Sequence, residues 1–477
     1  MIDQAATDID ETIVGIAHDA SLVAFEPDRA YDDSQHVADL VRRALRAAGL
    51  GRTHRDSPMA DAVQPGGTVL LKPNWVSHRN RGGYGMTCLV THDRVILAVL
   101  QEVCLAKPRR VILGDAPVQS CDFDSLVKPE LRCAAQTVCA AANVKLDIVD
   151  FRRTISAGPN LSTGVHEEAR SADRYLLFDL RDDSLLEPLS SPAGRFRVTD
   201  YDPRKMSQTH RPGRHQYLLC KEAFEADLVV SLPKLKTHSK AGLTGALKNL
   251  VGLNGNKDFL PHHRVGGSDS GGDCYPGRSL RRRLIEYCAD RANMNIGRAR
   301  YELWRGLARL QVKAMPASQR RGLEGSWHGN DTVWRMVLDL NRILRYGRLD
   351  GTLADQPQRR ILSLTDGIVA GEGEGPLANS PKPMGLITCA WAPPMAELAH
   401  ASLMGFDWRK IALIRESFGA FRYPLVSSSP EACRIVSDDR EMSVDQARQD
   451  FGCSVIAPRG WAQYLTNEHA IHDRHPA

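Results

Sequence analysis

Short, largely apolar and β-branched runs recur along the chain: Thr68–Leu71 (TVLL), Arg110–Leu113 (RVIL), Leu146–Val149 (LDIV), Asp227–Leu232 (DLVVSL), Ile361–Leu364 (ILSL) and Leu386–Thr388 (LIT). Runs of this kind suit strands buried on both faces. Between the first two, His92 to Ala106 sets Val95, Val99 and Val103 one helical turn apart, the stripe of a helix lying on a sheet. TVLL, helix and RVIL therefore predict a βαβ unit. The whole pattern predicts an α/β fold: a mainly parallel, Rossmann-like doubly wound sheet with helical and loop insertions. A mixed α+β fold using the same strands is the alternative.

Two stretches break the alternation. Gly158 to Pro203 is rich in turn residues and charge, which predicts a surface excursion or a small hairpin unit. From Gly277 to Arg321 the pattern turns helical and basic: Arg278, Arg281, Arg282, Arg283, Arg291, Arg298, Arg300, Arg305, Arg309, Lys313, Arg320 and Arg321 face only Glu286, Asp290 and Glu302. Leu284, Cys288, Tyr301, Trp304, Leu307 and Leu310 supply an apolar side, expected to pack on the core or on a second subunit. The arm at 277–321 reads either as a solvated face covering the core or as a contact for RNA, anionic lipid or an acidic partner. The resulting division is an N-terminal extension at 1–65, a first part of the α/β core at 66–260 (with the excursion at 158–203), a basic helical insertion at 261–350, a second part of the core at 351–425 and a C-terminal extension at 426–477.

Composition narrows the class. Of 477 residues, 42% are hydrophobic and 25% charged, which excludes collagen, long coiled coil and wholesale disorder. The net charge of +5 is too near balance to announce a nucleic-acid protein, so any positive field must be local. Eleven cysteines without a C-x-x-C pair suggest neither a disulfide framework nor a zinc ribbon, and reduced thiols fit a cytoplasm. The first twenty residues are acidic, and no stretch approaches the roughly 18 uncharged apolar residues of a membrane span. A soluble cytoplasmic protein is expected. His469, His472 and His475 near the end read as a frayed tail rather than a ligand set.

The chemistry concentrates in Leu232 to His263, which follows the DLVVSL strand directly. Lys234, Lys236, Thr237 and His238 would thus sit at the carboxyl end of a strand, where open α/β sheets bind ligands. Lys240, Thr244, Lys248, Asn249 and Lys257 follow, with glycines at 242, 245, 252 and 255. Lysines interleaved with glycines and hydroxyls make an anion cradle, since backbone amides approach closely while ammonium groups supply charge. A basic surface loop is the plainer alternative. No Walker loop or dinucleotide fingerprint is present. Lys72 and Asn74 end the TVLL strand and Asp115 ends the RVIL strand, with Thr91 a natural N-cap before His92. Asp115 is the obvious carboxylate for a proton or cation, or else a turn aspartate capping the next helix. A fourth strand tip carries Asp366 and then alternating glycine and glutamate through Glu372, a flexible stretch suited to a divalent cation held by Asp366 and Glu372.

Taken in order, LKPNW, TH before a helix, LGDAP, LPKLKTH…GLTGALKNLVG, TDGI…GEGEGP and AELAHASLMGFD resemble the DUF362 family of uncharacterised proteins, over roughly Gly66 to Phe418. Trp327 to Arg342 resembles a longer form of that family, associated with bacterial polysaccharide-type gene clusters. Many relatives carry a four-cysteine iron–sulfur module, which would imply electron transfer. This chain has isolated Cys389, Cys433 and Cys453 instead, so no iron–sulfur cluster is expected. Glu397 stands where the family has an aspartate. The resemblance bears on fold and site location and names no substrate.

The leading expectation is an enzyme binding a small anionic substrate, phosphorylated or carboxylated, at the strand tips. Lys72, Asn74, Thr91, His92, Lys234, Thr237, Thr244, Asn249, Lys257 and His263 would bind it. Asp115 and His238 would handle protons, and Lys236 or Lys248, depressed by neighbouring cations, would serve as base or nucleophile in group transfer or proton abstraction. The alternatives are an iron–sulfur or redox accessory protein, and a binding module using the basic arm.

Overall fold

The computed structural model describes residues 9–158, 161–166, 169–316 and 322–466. The three tail histidines, and Arg320 and Arg321 of the arm, lie outside the described residues. In chain order the layers are β1 (Ile13–His18), α1 (Ser34–Ala47), β2 (Thr68–Pro73), α2 (Asp93–Leu105), β3 (Arg110–Asp115), α3 (Pro129–Ala141), β4 (Lys145–Asp150), β5 (Leu228–Leu232), β6 (Lys234–His238), β7 (Gly242–Thr244), α4 (Ala246–Asn249), α5 (Leu280–Asn293), α6 (Arg300–Lys313), α7 (Val333–Tyr346), β8 (Arg360–Glu374), β9 (Ala378–Ala390), α8 (Pro393–Leu403), β10 (Arg434–Ser437) and β11 (Arg440–Met442).

Among the described residues these strands form one sheet, ordered β11-β10-β1-β9-β8-β5-β2-β3-β4, with β6 and β7 branching from β8. Strands β8, β5, β2, β3 and β4 run parallel. From β2 the chain steps outward through β3 and β4, then returns to lay β5 on the other side of β2 and β8 beyond it. The reversal between β2 and β5 is a topological switch point, which opens a crevice at the carboxyl ends of the strands. Helices α1, α2 and α3 cover one face and α4, α7 and α8 the other, each with its own apolar core. Val95, Val99 and Val103 of α2 are all buried against the sheet. The fold is mainly parallel α/β, doubly wound.

Several expectations are corrected. Within the expected extensions at 1–65 and 426–477, the described parts belong to the sheet: β1 lies between β9 and β10, and β10 and β11 finish its edge. The 158–203 stretch is not confined to the surface, since Phe178, Leu180, Leu186 and Phe196 enter the main core, and Tyr175–Asp179 pairs with Arg214–Cys220. The glycine–glutamate stretch is not a flexible tip. It is the second half of β8, held against β9 as far as the Glu374–Ala378 pair.

In the basic arm, α5 and α6 form an antiparallel hairpin whose register is set by Arg281 Nη1 on Ala314 O (3.3 Å), Gln311 Nε2 on Cys288 Sγ (3.4 Å) and the Tyr287–Trp304 edge contact (6.0 Å). Ile285, Cys288, Ala292, Tyr301 and Ala308 turn inward, whereas Leu284, Leu307 and Leu310 are exposed. Of the apolar side expected to pack on the core or on a second subunit, Cys288 and Tyr301 do turn inward, whereas the leucines do not pack on the core; Ile285 and Ala308, one helical position away, take the inward face instead.

Candidate functional site

Strand β5 does not end in a loop. Pro233, which has no amide hydrogen to give, interrupts pairing for one residue, and Asp366 N donates to its carbonyl (2.9 Å). The chain then resumes as β6 alongside β8, so KLKTH is a buried strand rather than a basic surface loop. Alternation along β6 puts Lys234 and Lys236 on the side of the crevice, and Thr237 against β8. There Thr237 Oγ1 donates to Gly373 O (2.8 Å) and accepts from Asn379 Nδ2 (3.1 Å).

Two of the lysines are neutralised by carboxylates. Lys72 Nζ meets Asp115 Oδ1 at 2.7 Å and also donates to Pro73 O (2.8 Å) and Asn249 Oδ1 (3.2 Å). Lys234 Nζ meets Asp366 Oδ2 at 2.8 Å and Tyr31 OH at 2.9 Å. All four charged groups of these pairs are buried. Asp115 is further tied by the amides of Ala116 (2.8 Å) and Trp75 (2.6 Å). Each of its oxygens is thus committed, which corrects its reading as a proton carrier: it anchors Lys72 and the strand ends. Asn249 accepts from Lys72 and Asn74 Nδ2 (3.2 Å each), and its own amide donates to Lys72 O (3.0 Å) and Ser231 Oγ (2.9 Å), locking β2 to β5 at the switch point. Gly252 lets the chain pass over this pair, because a Cβ there would overlap Asp115 and crowd Lys72.

The other four lysines of the crevice have no carboxylate within ion-pair distance among the described residues. Lys236 Nζ donates to Asn74 Oδ1 (2.9 Å) and Leu89 O. Lys240 Nζ reaches Thr199 Oγ1 (3.2 Å) and Lys257 Nζ reaches Ala116 O (3.1 Å). Lys248 makes no hydrogen bond among the described residues. Burial first, then Lys248, pushes Lys236 down to about 7. Burial, Lys257 and Lys240 push Lys248 down to about 7, and burial lowers Lys257 to about 8. The same field, after burial, holds His238, His262 and His263 well below the usual histidine value. His238 Nδ1 accepts from Lys240 N (3.0 Å), so His238, expected to handle protons, is a neutral ring. Lys240, Lys248, Lys257 and His262 keep partial exposure, so the cluster opens to solvent.

Other expected site residues play different parts. Thr91 is not the N-cap of α2. Its hydroxyl accepts from Asn74 N (2.9 Å) and donates to Leu232 O (2.6 Å), while His92 caps the helix through Nδ1. His92 also stacks on Tyr31 (3.8 Å between ring centres), and burial lowers it to about 4. Thr244 is buried on β7, its hydroxyl without a partner among the described residues. The cation site at Asp366 and Glu372 is corrected. Asp366 is spent on Lys234, Tyr31 and the His92 amide, whereas Glu372 accepts from Ile456 N (2.9 Å). Among the described residues no group of three His, Cys, Asp or Glu side chains is arranged to hold a metal.

Sequence reasoning missed Tyr31, whose hydroxyl donates to Asp366 Oδ1 (2.7 Å) and receives Val369 N (3.0 Å) from 338 positions away. No local signal marks it. Glu397 carries a stronger role than its position suggested. Fully buried on α8, it accepts from Leu247 N (3.0 Å) at the start of α4, and burial pushes it up to about 8. Gly245 admits it, since a Cβ there would press on Glu397 and His400.

These features define an α/β protein with a cation-rich crevice at the switch point of a doubly wound sheet. Residues 186–401 match the family model of DUF362, a domain of unknown function. A thylakoid-associated protein of Synechocystis, sll1697, is 36% identical over 214 residues, 44% of this chain and 47% of the relative. The match thus spans about half of the relative's length. Among solved structures, a Thermotoga maritima protein aligns over 73% of this chain and 54% of its own, with 9% identity and a TM-score of 0.30. The lactate racemase apoprotein of Thermoanaerobacterium thermosaccharolyticum aligns over 77% and 55%, with 13% identity and a TM-score of 0.31.

Proposed function

We propose that this protein is an enzyme that takes a small anionic substrate, a phosphate or carboxylate, into the crevice and moves a proton there. The observation that carries the reading is the missing counter-charge: Lys236, Lys240, Lys248 and Lys257 gather with only neutral hydrogen-bond partners. Crowded cations without anions are costly, and a bound anion removes that cost. Lys248 takes the proton-transferring role in place of Asp115 and His238, because it is unbonded and titrates near neutrality. Lys236 and Lys257 orient the anion. The test is thermal unfolding with added sulfate. The melting temperature of the wild type rises, and Lys248→Met abolishes most of the rise; an undiminished rise in the variant sinks the reading.

A second property is favoured by the arm. Its outer face is apolar and cationic together, which suits an anionic lipid surface rather than RNA or an acidic protein. The Synechocystis relative is named for thylakoid association. Among the described residues no helix is long and apolar enough to cross a membrane. The setting proposed is accordingly the cytoplasmic face of a membrane.

A further inference from the structure

We propose that the anionic substrate is amphiphilic, its apolar portion filling a chamber between the α5–α6 hairpin and the body of the protein. This rests on the lysine reading above and names its substrate class. The chamber measures about 470 Å³, within the roughly 300–1,000 Å³ of small-molecule sites. Val198, Val265 and Leu323 wall it from the body, and Ile285, Ala308 and Val312 from the two helices. Several charged groups in the wall are committed: Arg197 to Asp290 (2.9 Å), Arg305 to Asp200 (3.2 Å), Glu286 to the amide of Gly266 (2.9 Å) and Glu324 to Thr199 (3.1 Å), while Arg309 and Lys313 add cationic lining. More hydrocarbon than polar surface faces the space, and hydrocarbon holds water poorly.

One end of the chamber touches the lysine cluster. Thr199 lies in the wall, and its hydroxyl accepts from Lys240 Nζ (3.2 Å) while donating to Glu324 Oε2 (3.1 Å). His263 lies there too, more than nine-tenths buried, and its Nδ1 has no partner among the described residues. A buried imidazole nitrogen left unbonded is expensive unless a ligand group meets it. An apolar space ending in an unmatched ring nitrogen beside unmatched ammonium groups fits a hydrocarbon tail with an anionic head. A sugar or nucleoside, with many hydroxyls, would meet Asn293 Oδ1 and a few carboxylates but leave most of its hydroxyls against hydrocarbon.

Calorimetric titration of the full chain with inorganic phosphate, decyl phosphate, decanoate and decyltrimethylammonium tests this. Decyl phosphate or decanoate, whichever head the crevice prefers, should bind at least roughly tenfold tighter than inorganic phosphate, since each buried methylene adds to affinity. Ala308→Trp, and the milder Ala308→Leu, should return that affinity to within about twofold of inorganic phosphate and leave inorganic phosphate itself unchanged. Equal affinity for short and long anions in the wild type, an increment surviving both substitutions, or equally tight decyltrimethylammonium overturns the chamber. Failure of inorganic phosphate, sulfate and both decyl anions to bind overturns the lysine reading instead.

Discussion

At the scale of residues, the site separates lysines that hold the fold from lysines that await a ligand. Lys72 and Lys234 are also buried, yet each has a carboxylate at 2.7 or 2.8 Å. Lys236 and Lys248 have no carboxylate within ion-pair distance among the described residues. Replacing either by Met keeps the stem and deletes the charge, so sulfate affinity should drop by about 1–3 kcal/mol for each lost charge-assisted bond, read from thermal shifts. The pH dependence follows from the same two groups. Both sit near 7 in the folded chain against 10.5 for a free lysine. Between these values the unfolded state binds more protons, so the stability of the ligand-free protein rises with pH there. Lys248→Met removes one such group. Without anion the variant should be the more stable at pH 6, with the difference shrinking towards pH 9. A constant gap in paired denaturation curves would show that Lys248 does not titrate in this range. Sulfate affinity should run the opposite way, falling as pH climbs through about 7, because only the ammonium form attracts the anion.

At the scale of elements, β5, Pro233 and β6 together decide where the chemistry lies. The βαβ unit was legible in the sequence because Val95, Val99 and Val103 repeat with a helix's own period. The crevice was legible because strand ends carry it in any doubly wound sheet. What could not be read was pairing. Nothing in KLKTH says that it is a strand, since its partner is Asp366–Gly371 of β8, more than a hundred residues later. The glycine–glutamate stretch looked mobile for the same reason, its partner strand β9 being invisible to local propensity. Tyr31 illustrates the limit: a single tyrosine in a turn region completes the Lys234–Asp366 pair, and no spacing rule reaches it. This pair gives a stability prediction. Asp366→Asn leaves Lys234 buried without its counter-ion and should cost about 3–5 kcal/mol in urea unfolding, whereas Tyr31→Phe leaves the ion pair in place, removes a hydroxyl bonded to both of its members and should cost about 1.5–3 kcal/mol. Equal small losses would mean that the pair is dispensable. Gly252→Ala belongs with it: the new methyl would push between Asp115 and the chain above, at about 1–3 kcal/mol or more.

At the scale of the molecule, the distribution of exposed apolar groups is lopsided. Of the thirteen large hydrophobic side chains exposed among the described residues, six lie on the α5–α6 hairpin: Leu280, Leu284 and Tyr287 on α5, and Leu303, Leu307 and Leu310 on α6. Each set follows helical spacing, and the antiparallel register lays them side by side, with Leu280 80% and Leu310 64% exposed. The inward face is already satisfied, so folding does not account for these leucines. Within 277–316 ten basic residues stand against three acidic ones; Glu286 and Asp290 turn inward to Gly266 and Arg197, and of the basic residues Arg305 turns inward to Asp200. The outer face is thus apolar at its centre and cationic around it, which is the composition of a helix lying in an anionic interface. At 14 residues each, α5 and α6 reach only about 21 Å, too short to cross a bilayer and long enough to lie on one. The full chain should therefore sediment with vesicles of phosphatidylcholine and phosphatidylglycerol but not with phosphatidylcholine alone, and high salt should release it. Leu284→Ser with Leu307→Ser and Leu310→Ser, all exposed positions, should weaken vesicle binding by roughly tenfold or more. Arg281→Glu with Arg283→Glu should weaken it by about as much, with circular dichroism unchanged. Vesicle binding that ignores the leucine changes, or a concentration-dependent dimer that the same changes abolish, would assign this face to a second copy of the chain rather than to lipid.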